Sequence, residues 1–300
     1  MYDLGIIGYL YSQIISKIIL LVIYTIIMLK VASPVIKFRF IKEPVLFSLH
    51  FITPDLISSV SSQGDRYLIQ LFLSMKLLGI YSICQKFGSL FSQIHSIIKL
   101  SFVPFLIKTT SENPSGNEMF KKMVPFYVSP LFFGFVFLSI FSDNLIFFID
   151  NEEYFSVTDF LPWVFLSLLI PSIYLYYAPG IYLSKKSVYL LYPIISSSVF
   201  FFVLAFFLTP IFLLQGLIFS KIISGIVYLG TSLFLSNKLY DLKNDYQFLF
   251  FIFSGSLLII LINLFINNVF IKNNLFLEFF LFSIYLFCFT VFLKKKWKNL

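Results

Sequence analysis

The sequence predicts an all-α protein, a polytopic bundle of about nine transmembrane helices. Of the 300 residues, 59% are hydrophobic and only 12% are charged, whereas a soluble domain usually carries about 25% charged residues. So little charge could not cover a domain of this size in water. The apolar stretches also reach the roughly 20 residues that a helix needs to cross the hydrocarbon core.

Nine apolar stretches reach this length. The predicted spans are 6–29, 44–64, 77–107, 123–142, 158–183, 187–208, 211–236, 246–268 and 275–293. A polar segment with Pro114 and Gly116 separates the third span from the fourth, and short polar breaks such as 184–187 separate others.

Basic residues mark every second connection between the predicted spans. They are Lys30, Lys37, Arg39 and Lys42, then Lys108, Lys121 and Lys122, then Lys185 and Lys186, then Lys238 and Lys243, and finally the lysines of 294–298. The alternate connections carry few cations and hold Asp143, Asp150, Glu152, Glu153 and Asp159. This is the positive-inside pattern. It predicts a multi-pass protein of the cytoplasmic membrane with its C-terminus in the cytoplasm and Met1 outside, and it explains the net charge of +8 without nucleic acid as a partner.

The residue types that usually carry catalysis do not form a recognisable pattern. Cys84 and Cys288 are far apart in apolar stretches, and His50 and His95 stand alone. A lone histidine in an apolar helix is more often hydrogen-bonded within the bundle than a proton carrier. No metal-ligand spacing, nucleophile motif or phosphate-binding loop is found, so we predict no catalytic residue, no metal, no cofactor and no enzymatic activity.

Polar side chains inside the spans are the candidates for function, because they are costly in lipid and usually face the bundle interior or a water-filled cavity. We predict that Arg66, Lys86 and Lys17, with Asp65 and Gln85, line a cavity for an anionic group such as a lipid diphosphate, since phosphate oxygens favour several nearby cations.

Structural alternatives remain open for several of these charges. Lys99 and Lys221 would then extend toward the cytoplasmic headgroups. Asp65 and Arg66 would form an interfacial ion pair that fixes the rotation of their helix.

Two blocks of short motifs resemble a known family, the polysaccharide (O-antigen type) flippases, which are the Wzx-like branch of the MATE-related exporter superfamily. The first block comprises Gly64-Asp65-Arg66-Tyr67-Leu68-Ile69, Leu78-Gly79-Ile80-Tyr81-Ser82-Ile83, Lys86-Phe87-Gly88 and Phe102-Val103-Pro104-Phe105. The second comprises Glu153-Tyr154, Leu161-Pro162 and Gly180-Ile181-Tyr182-Leu183-Ser184-Lys185-Lys186-Ser187. The resemblance covers residues 5–245.

The resemblance implies that the nine spans are helices six to fourteen of a fourteen-helix exporter. Residues 1–43 would then be one helix and a cytoplasmic linker ending the first lobe, 44–245 the six-helix second lobe, and 246–300 two additional helices with a basic tail. It also implies transfer of undecaprenyl-diphosphate-linked sugar repeat units between leaflets by alternating access. One lobe cannot form a central cleft by itself, so a longer parent protein, an N-terminal lobe on another chain or polysaccharide-assembly proteins are the expected partners, beside lipid-linked oligosaccharide and membrane lipids.

Three other functions stay open. A multidrug or metabolite antiporter of the same superfamily would need an embedded carboxylate for ion coupling, for which Asp55 is the candidate. A membrane glycan polymerase is disfavoured, because the outer connection near 142–157 is short and contains no Arg or His. A non-functional truncated remnant is the third.

Overall fold

The computed structural model describes residues 5–31, 56–57, 59–61, 63–112, 116–147, 152–183, 187–239, 246–269 and 275–298. These residues are almost entirely helical and contain no strand, which confirms the all-α prediction. The chain divides into two units, residues 1–49 and residues 50–300, and each is described by itself. The boundaries predicted at 43/44 and 245/246 stay predictions.

The first unit contains helix α1 (Gly5–Val31), whose side chains are exposed along almost its whole length. The helices of the second unit are α2 (63–72), α3 (Met75–Glu112), α4 (Gly116–Ile140), α5 (Ser142–Phe147), α6 (Leu161–Ser172), α7 (Tyr174–Tyr177), α8 (Gly180–Leu183), α9 (Leu191–Leu239), α10 (Tyr246–Val269) and α11 (Leu275–Lys298).

Within the described ranges, seven helical segments are long and apolar enough to cross a membrane. The protein is therefore a multi-pass membrane protein. The number is smaller than the predicted nine for two reasons. The predicted span 44–64 lies mostly outside the described residues, and α9 combines two predicted spans in one helical segment.

Helix α9 is a hairpin and not a straight rod. Leu213 has φ 54° and ψ −136°, which is not helical, and a left-handed φ is unfavourable for a branched side chain. A β-carbon on Gly216 would lie less than 3.0 Å from the Leu208 carbonyl oxygen, although residues eight apart in a straight helix are about 12 Å apart. The arms 191–212 and 214–239 therefore run in opposite directions, as the predicted spans 187–208 and 211–236 require.

Helices α2 and α3 form a second hairpin. Ser74 directly precedes α3, and its hydroxyl accepts a hydrogen bond from the Leu77 N–H at 3.3 Å. Across the hairpin, the Tyr81 hydroxyl reaches the Asp65 carboxylate at 2.5 Å. Helix α2 packs along the first arm of α9, where the Phe72 and Phe206 rings are 5.3 Å apart. The turns at 73–74 and at 213 therefore lie at the same end of the bundle, which we call the tip end.

The core lies where α3, α4 and α6–α7 meet. The buried Phe102 ring contacts Tyr176 at 4.6 Å and Tyr127 at 4.9 Å. The second arm of α9 runs parallel to α6 and α7, because Trp163 lies beside Phe219 at 6.0 Å and Tyr174 beside Tyr228 at 5.0 Å.

Helices α10 and α11 form an antiparallel pair on the other face of α4. Phe251 stacks on Phe292 at 3.9 Å, and the Ser256 and Tyr285 hydroxyls are 2.9 Å apart. Phe132 of α4 lies 6.3 Å from Phe253. These packing directions bring Lys108, Lys122, Lys238 and Lys294 to one end, which we call the basic end, opposite the tip end.

The hairpin in α9 gives a first prediction. A side chain at Gly216 would collide with the Leu208 carbonyl, which is backbone and cannot move aside. We expect Gly216→Ala to lower the stability of the folded chain by about 1–3 kcal/mol. The measurement is the thermal unfolding midpoint of the detergent-purified chain.

Gly230→Ala is the matched control, because nothing lies within 4 Å of a methyl group placed there. That variant should match or exceed the wild type, since alanine favours the helix by about 1 kcal/mol over glycine. Equal stability of the two variants would contradict the hairpin.

Candidate functional site

A buried polar network joins α2, α3 and the second arm of α9. The Asp65 carboxylate, 1% exposed, accepts hydrogen bonds from the Tyr81 hydroxyl at 2.5 Å and from the Lys221 ammonium, with which it forms an ion pair. Lys221 also donates to the Tyr81 hydroxyl at 2.5 Å, and the Gln85 amide donates to the same oxygen at 2.7 Å. We call these four residues the Asp65 network.

The network lies about two helical turns inside the bundle from the tip end. Asp65 and Tyr81 are each eight residues from position 73, and Lys221 is eight residues from Leu213. A rise of 1.5 Å per residue places all three about 12 Å from the hairpin turns, and Tyr81 and Lys221 belong to segments long and apolar enough to cross a membrane. A single charge at that depth is costly. The opposite charges and the Tyr81 hydroxyl therefore satisfy one another.

Aromatic rings complete the surroundings of the lysine. The Lys221 ammonium lies 5.2 Å from the centre of the Tyr81 ring and 5.9 Å from the centre of the Phe201 ring. Both distances fall within the range of cation–π attraction. The ammonium is thus held between the two arms of α9 and α3.

Two sequence-based alternatives are wrong. Lys221 does not extend toward headgroups, because its ammonium is bound to Asp65, which lies at the same distance from the turns. Asp65 does not pair with the Arg66 side chain; the Arg66 backbone N–H donates to the carboxylate at 2.7 Å, and the Arg66 side chain is exposed. Both alternatives fail because Asp65 and Lys221, which are 156 residues apart in sequence, bind each other.

A cavity of about 530 Å³ opens beside the network, bounded by α3, by α6 and α7, and by both arms of α9. Lys221 and Ser61 lie at its tip-end side, and Lys99, Tyr174 and Tyr228 lie nearer the basic end. We call it the serine-lined cavity, after the serines on its wall, which are Ser61, Ser92, Ser167, Ser172, Ser197, Ser198 and Ser224.

The wall of this cavity offers donors to an anion and acceptors to hydroxyl groups. Lys99 and Lys221 supply cations, and the buried His95 Nε2 has no hydrogen-bond partner among the described residues. Five of the serines donate their hydroxyl protons to carbonyls of their own helices. Their oxygens remain able to accept from a ligand. The combination suits a molecule with phosphate and hydroxyl groups.

The predicted site residues are only partly brought together. Asp65 and Gln85 meet through Tyr81. Arg66 and Lys86 have exposed side chains and are not among the described residues of the cavity wall. Lys17 lies on α1 in the other unit, and Asp55 lies outside the described residues. The cavity predicted from Arg66, Lys86 and Lys17 stays a prediction.

Sequence reasoning missed Tyr81 and gave Lys99 and His95 no role in binding. A signal was present in the spacing. Ser92, His95 and Lys99 are three and four residues apart, hence on one face of α3. Lys221, Ser224 and Tyr228 repeat the same spacing on α9. Matched polar faces on two apolar helices predict a shared polar lining, although not which helices meet.

Comparison with known proteins identifies the group to which this chain is related. Residues 1–158 match the sequence family described as polysaccharide biosynthesis protein, which is more than half of the chain. The chain belongs to this family. The match confirms the resemblance to Wzx-like polysaccharide flippases, and it contains the first motif block, Gly64 to Phe105. A comparison with curated proteins found no match, and neither did a comparison with solved structures.

The ion pair between Asp65 and Lys221 gives a second prediction. We expect Lys221→Met alone to destabilise the bundle by about 3–5 kcal/mol, because removing one member of a buried pair leaves the other charge unpaired. Adding Asp65→Asn should restore much of that loss. A double-mutant cycle on thermal unfolding of the detergent-purified chain measures the coupling.

The matched control for this cycle is Lys238→Met, which changes an exposed lysine on the same arm of α9 and should have little effect. Additive losses from Asp65→Asn and Lys221→Met would contradict the pairing.

Proposed function

We propose that this protein is a transporter, not an enzyme, and that it moves polyprenyl-diphosphate-linked sugar repeat units across the cytoplasmic membrane. The observation that carries the proposal is a cationic, serine-lined cavity inside a membrane bundle that belongs to a polysaccharide biosynthesis family. Such a substrate combines a diphosphate, a hydroxyl-rich glycan and a hydrocarbon chain.

Each part of this substrate has a chemically matched surface. The diphosphate would contact Lys99 and Lys221, since lysine is a strong donor to phosphate. The glycan hydroxyls would donate to the serine oxygens. The polyprenyl chain would stay in lipid beside the exposed apolar side chains of the first arm of α9, such as Val203 and Phe207.

Lys221 would respond to the substrate by changing partner. In this structure its ammonium is bound to Asp65 and Tyr81 while it lines the cavity. A diphosphate oxygen entering the cavity would compete with Asp65 for the same ammonium. Release of Asp65 would loosen the contact between the α2–α3 hairpin and the α9 hairpin. The contact would then have two states, one with the ion pair formed and one with it released.

The other wall of the translocation path would come from outside residues 50–300. We propose a second lobe, on a longer chain or on a partner, that completes the cleft, with polysaccharide-assembly proteins as further partners.

The charge of the cavity disfavours the antiporter alternative for organic cations. In the described lining, the charged groups are Lys99 and Lys221, and the nearby carboxylate of Asp65 is already paired with Lys221. An organic cation would meet repulsion there. Transport of an organic cation that is lost in Asp55→Asn would favour the antiporter over the flippase.

The proposed orientation gives a topology prediction. We expect reporter fusions in the 184–187 connection to report the cytoplasm and fusions in the 150–153 segment to report the outside, because lysines are retained in the cytoplasm. An alkaline phosphatase and fluorescent-protein pair measures both sides. Fusions that place the two segments on one side would contradict the orientation.

The proposed substrate gives a functional prediction. In cells lacking the chromosomal gene, the wild-type gene should restore surface polysaccharide. Lys99→Met and Lys221→Met should lower it by about tenfold or more, because each removes a charge-assisted contact with a phosphate. Lipid-linked repeat units, quantified by mass spectrometry, should accumulate in the inner leaflet.

Lys76→Met is the control, because this exposed lysine begins α3 outside the cavity. A Lys86→Met variant tests the sequence-predicted cavity separately. Full activity of both Lys99→Met and Lys221→Met, with protein levels equal to wild type, would overturn the proposed role of the cavity.

A further inference from the structure

A second polar cluster lies at the tip-end termini of α4–α5, α10 and α11, on the face of α4 away from α3. The Asn144 amide donates to Glu278 Oε2 at 2.7 Å, and the Asn267 amide donates to Asp143 Oδ2 at 3.3 Å. We call these four residues the tip-end cluster. It brings together two carboxylates that are close enough to interact electrostatically.

One carboxylate oxygen of the cluster has no hydrogen-bond partner among the described residues. Glu278 is fully buried, and its Oε1 has no hydrogen-bond partner. A carboxylate oxygen removed from water without a partner is costly. The Asn144 bond satisfies only the other oxygen of the same group.

Two further unpartnered oxygens lie one helical turn away. Ser139 Oγ precedes Asp143 by four residues, and Asn263 Oδ1 precedes Asn267 by four. Residues four apart share a helix face. The Phe132–Phe253 contact and the Asn267–Asp143 hydrogen bond show that α4 and α10 run side by side in the same direction. Ser139 and Asn263 therefore lie at about the same level. Both side chains are at most 2% exposed.

We propose that a hard cation binds beside the tip-end cluster, through Glu278 Oε1 of the cluster and through Asn263 Oδ1 and Ser139 Oγ one helical turn away. The donors are all oxygens, which hard cations such as Na⁺ and Ca²⁺ prefer. Softer metals are a poorer fit, because none of the three proposed donors is a sulfur or an imidazole nitrogen. The Asp143 carboxylate adds negative charge next to the site.

The site would link α4–α5, α10 and α11 through one ion. Its position is separate from the serine-lined cavity, which uses α3, α6, α7 and α9. The proposal therefore does not depend on the substrate of the transporter. It predicts that a bound cation stabilises the packing of α10 and α11.

The experiment is a thermal unfolding titration of the chelator-treated, detergent-purified full chain. NaCl and CaCl₂ are compared with choline chloride at constant ionic strength. A ligand that binds only the folded state raises the unfolding midpoint in a saturable manner, so we expect Na⁺ or Ca²⁺ to do so and choline to have no effect. The ion that acts at the lower concentration identifies the class of cation.

Glu278→Gln should raise the half-saturating concentration by about tenfold or more, in line with the loss that follows damage to a metal site. Asp159→Asn, which changes an exposed carboxylate near the same end, should keep the wild-type response. If Glu278→Gln does not fold, Asn263→Leu decides the question, since it removes one proposed oxygen and no charge.

Two results would overturn the proposal. The wild type could show no specific cation response. Alternatively, the response could survive both Glu278→Gln and Asn263→Leu.

Discussion

The pairing of Asp65 with Lys221 inside the bundle is the constraint on which the arrangement of α2, α3 and α9 depends. Lipid tails are as apolar as the helices, so the hydrophobic effect does not drive helices together inside a bilayer. A buried ion pair does, because each charge is costly without the other. Since both residues are eight positions from their turns, pairing sets the register of the α2–α3 hairpin against the α9 hairpin.

Small residues allow this register to form. Gly64 lies directly against the Phe202 ring, so a larger side chain next to Asp65 would displace that ring. One turn below, the Ser61 and Ser198 hydroxyls bond at 2.7 Å. Five serine hydroxyls of the cavity wall donate to carbonyls of their own helices. They therefore stay hydrogen-bonded when no substrate is present. A polar cavity can therefore persist in a membrane.

The spans could be predicted from sequence because they depend on local composition. Runs of about 20 apolar residues define α1, α3, α10 and α11 without any knowledge of neighbours. The reversal of α9 was also predicted, from the limits of two apolar runs. The site could be predicted only in part, because its contacts are long-range. Nothing near Asp65 in sequence reveals that Lys221 is its partner, whereas Arg66, the adjacent cation, has an exposed side chain.

The Asp65 network also extends what the family match says about the chain. The match ends at residue 158, so it contains Asp65, Tyr81 and Gln85 but not Lys221. The ion pair joins the matched part to the second arm of α9, and α6 and α7 pack along that same arm. Because a buried charge cannot lose its partner without a large cost, α2 and α3 depend on a helix beyond the matched region. The matched helices of the second unit and the helices that follow them therefore form one bundle, and the cavity is lined by both.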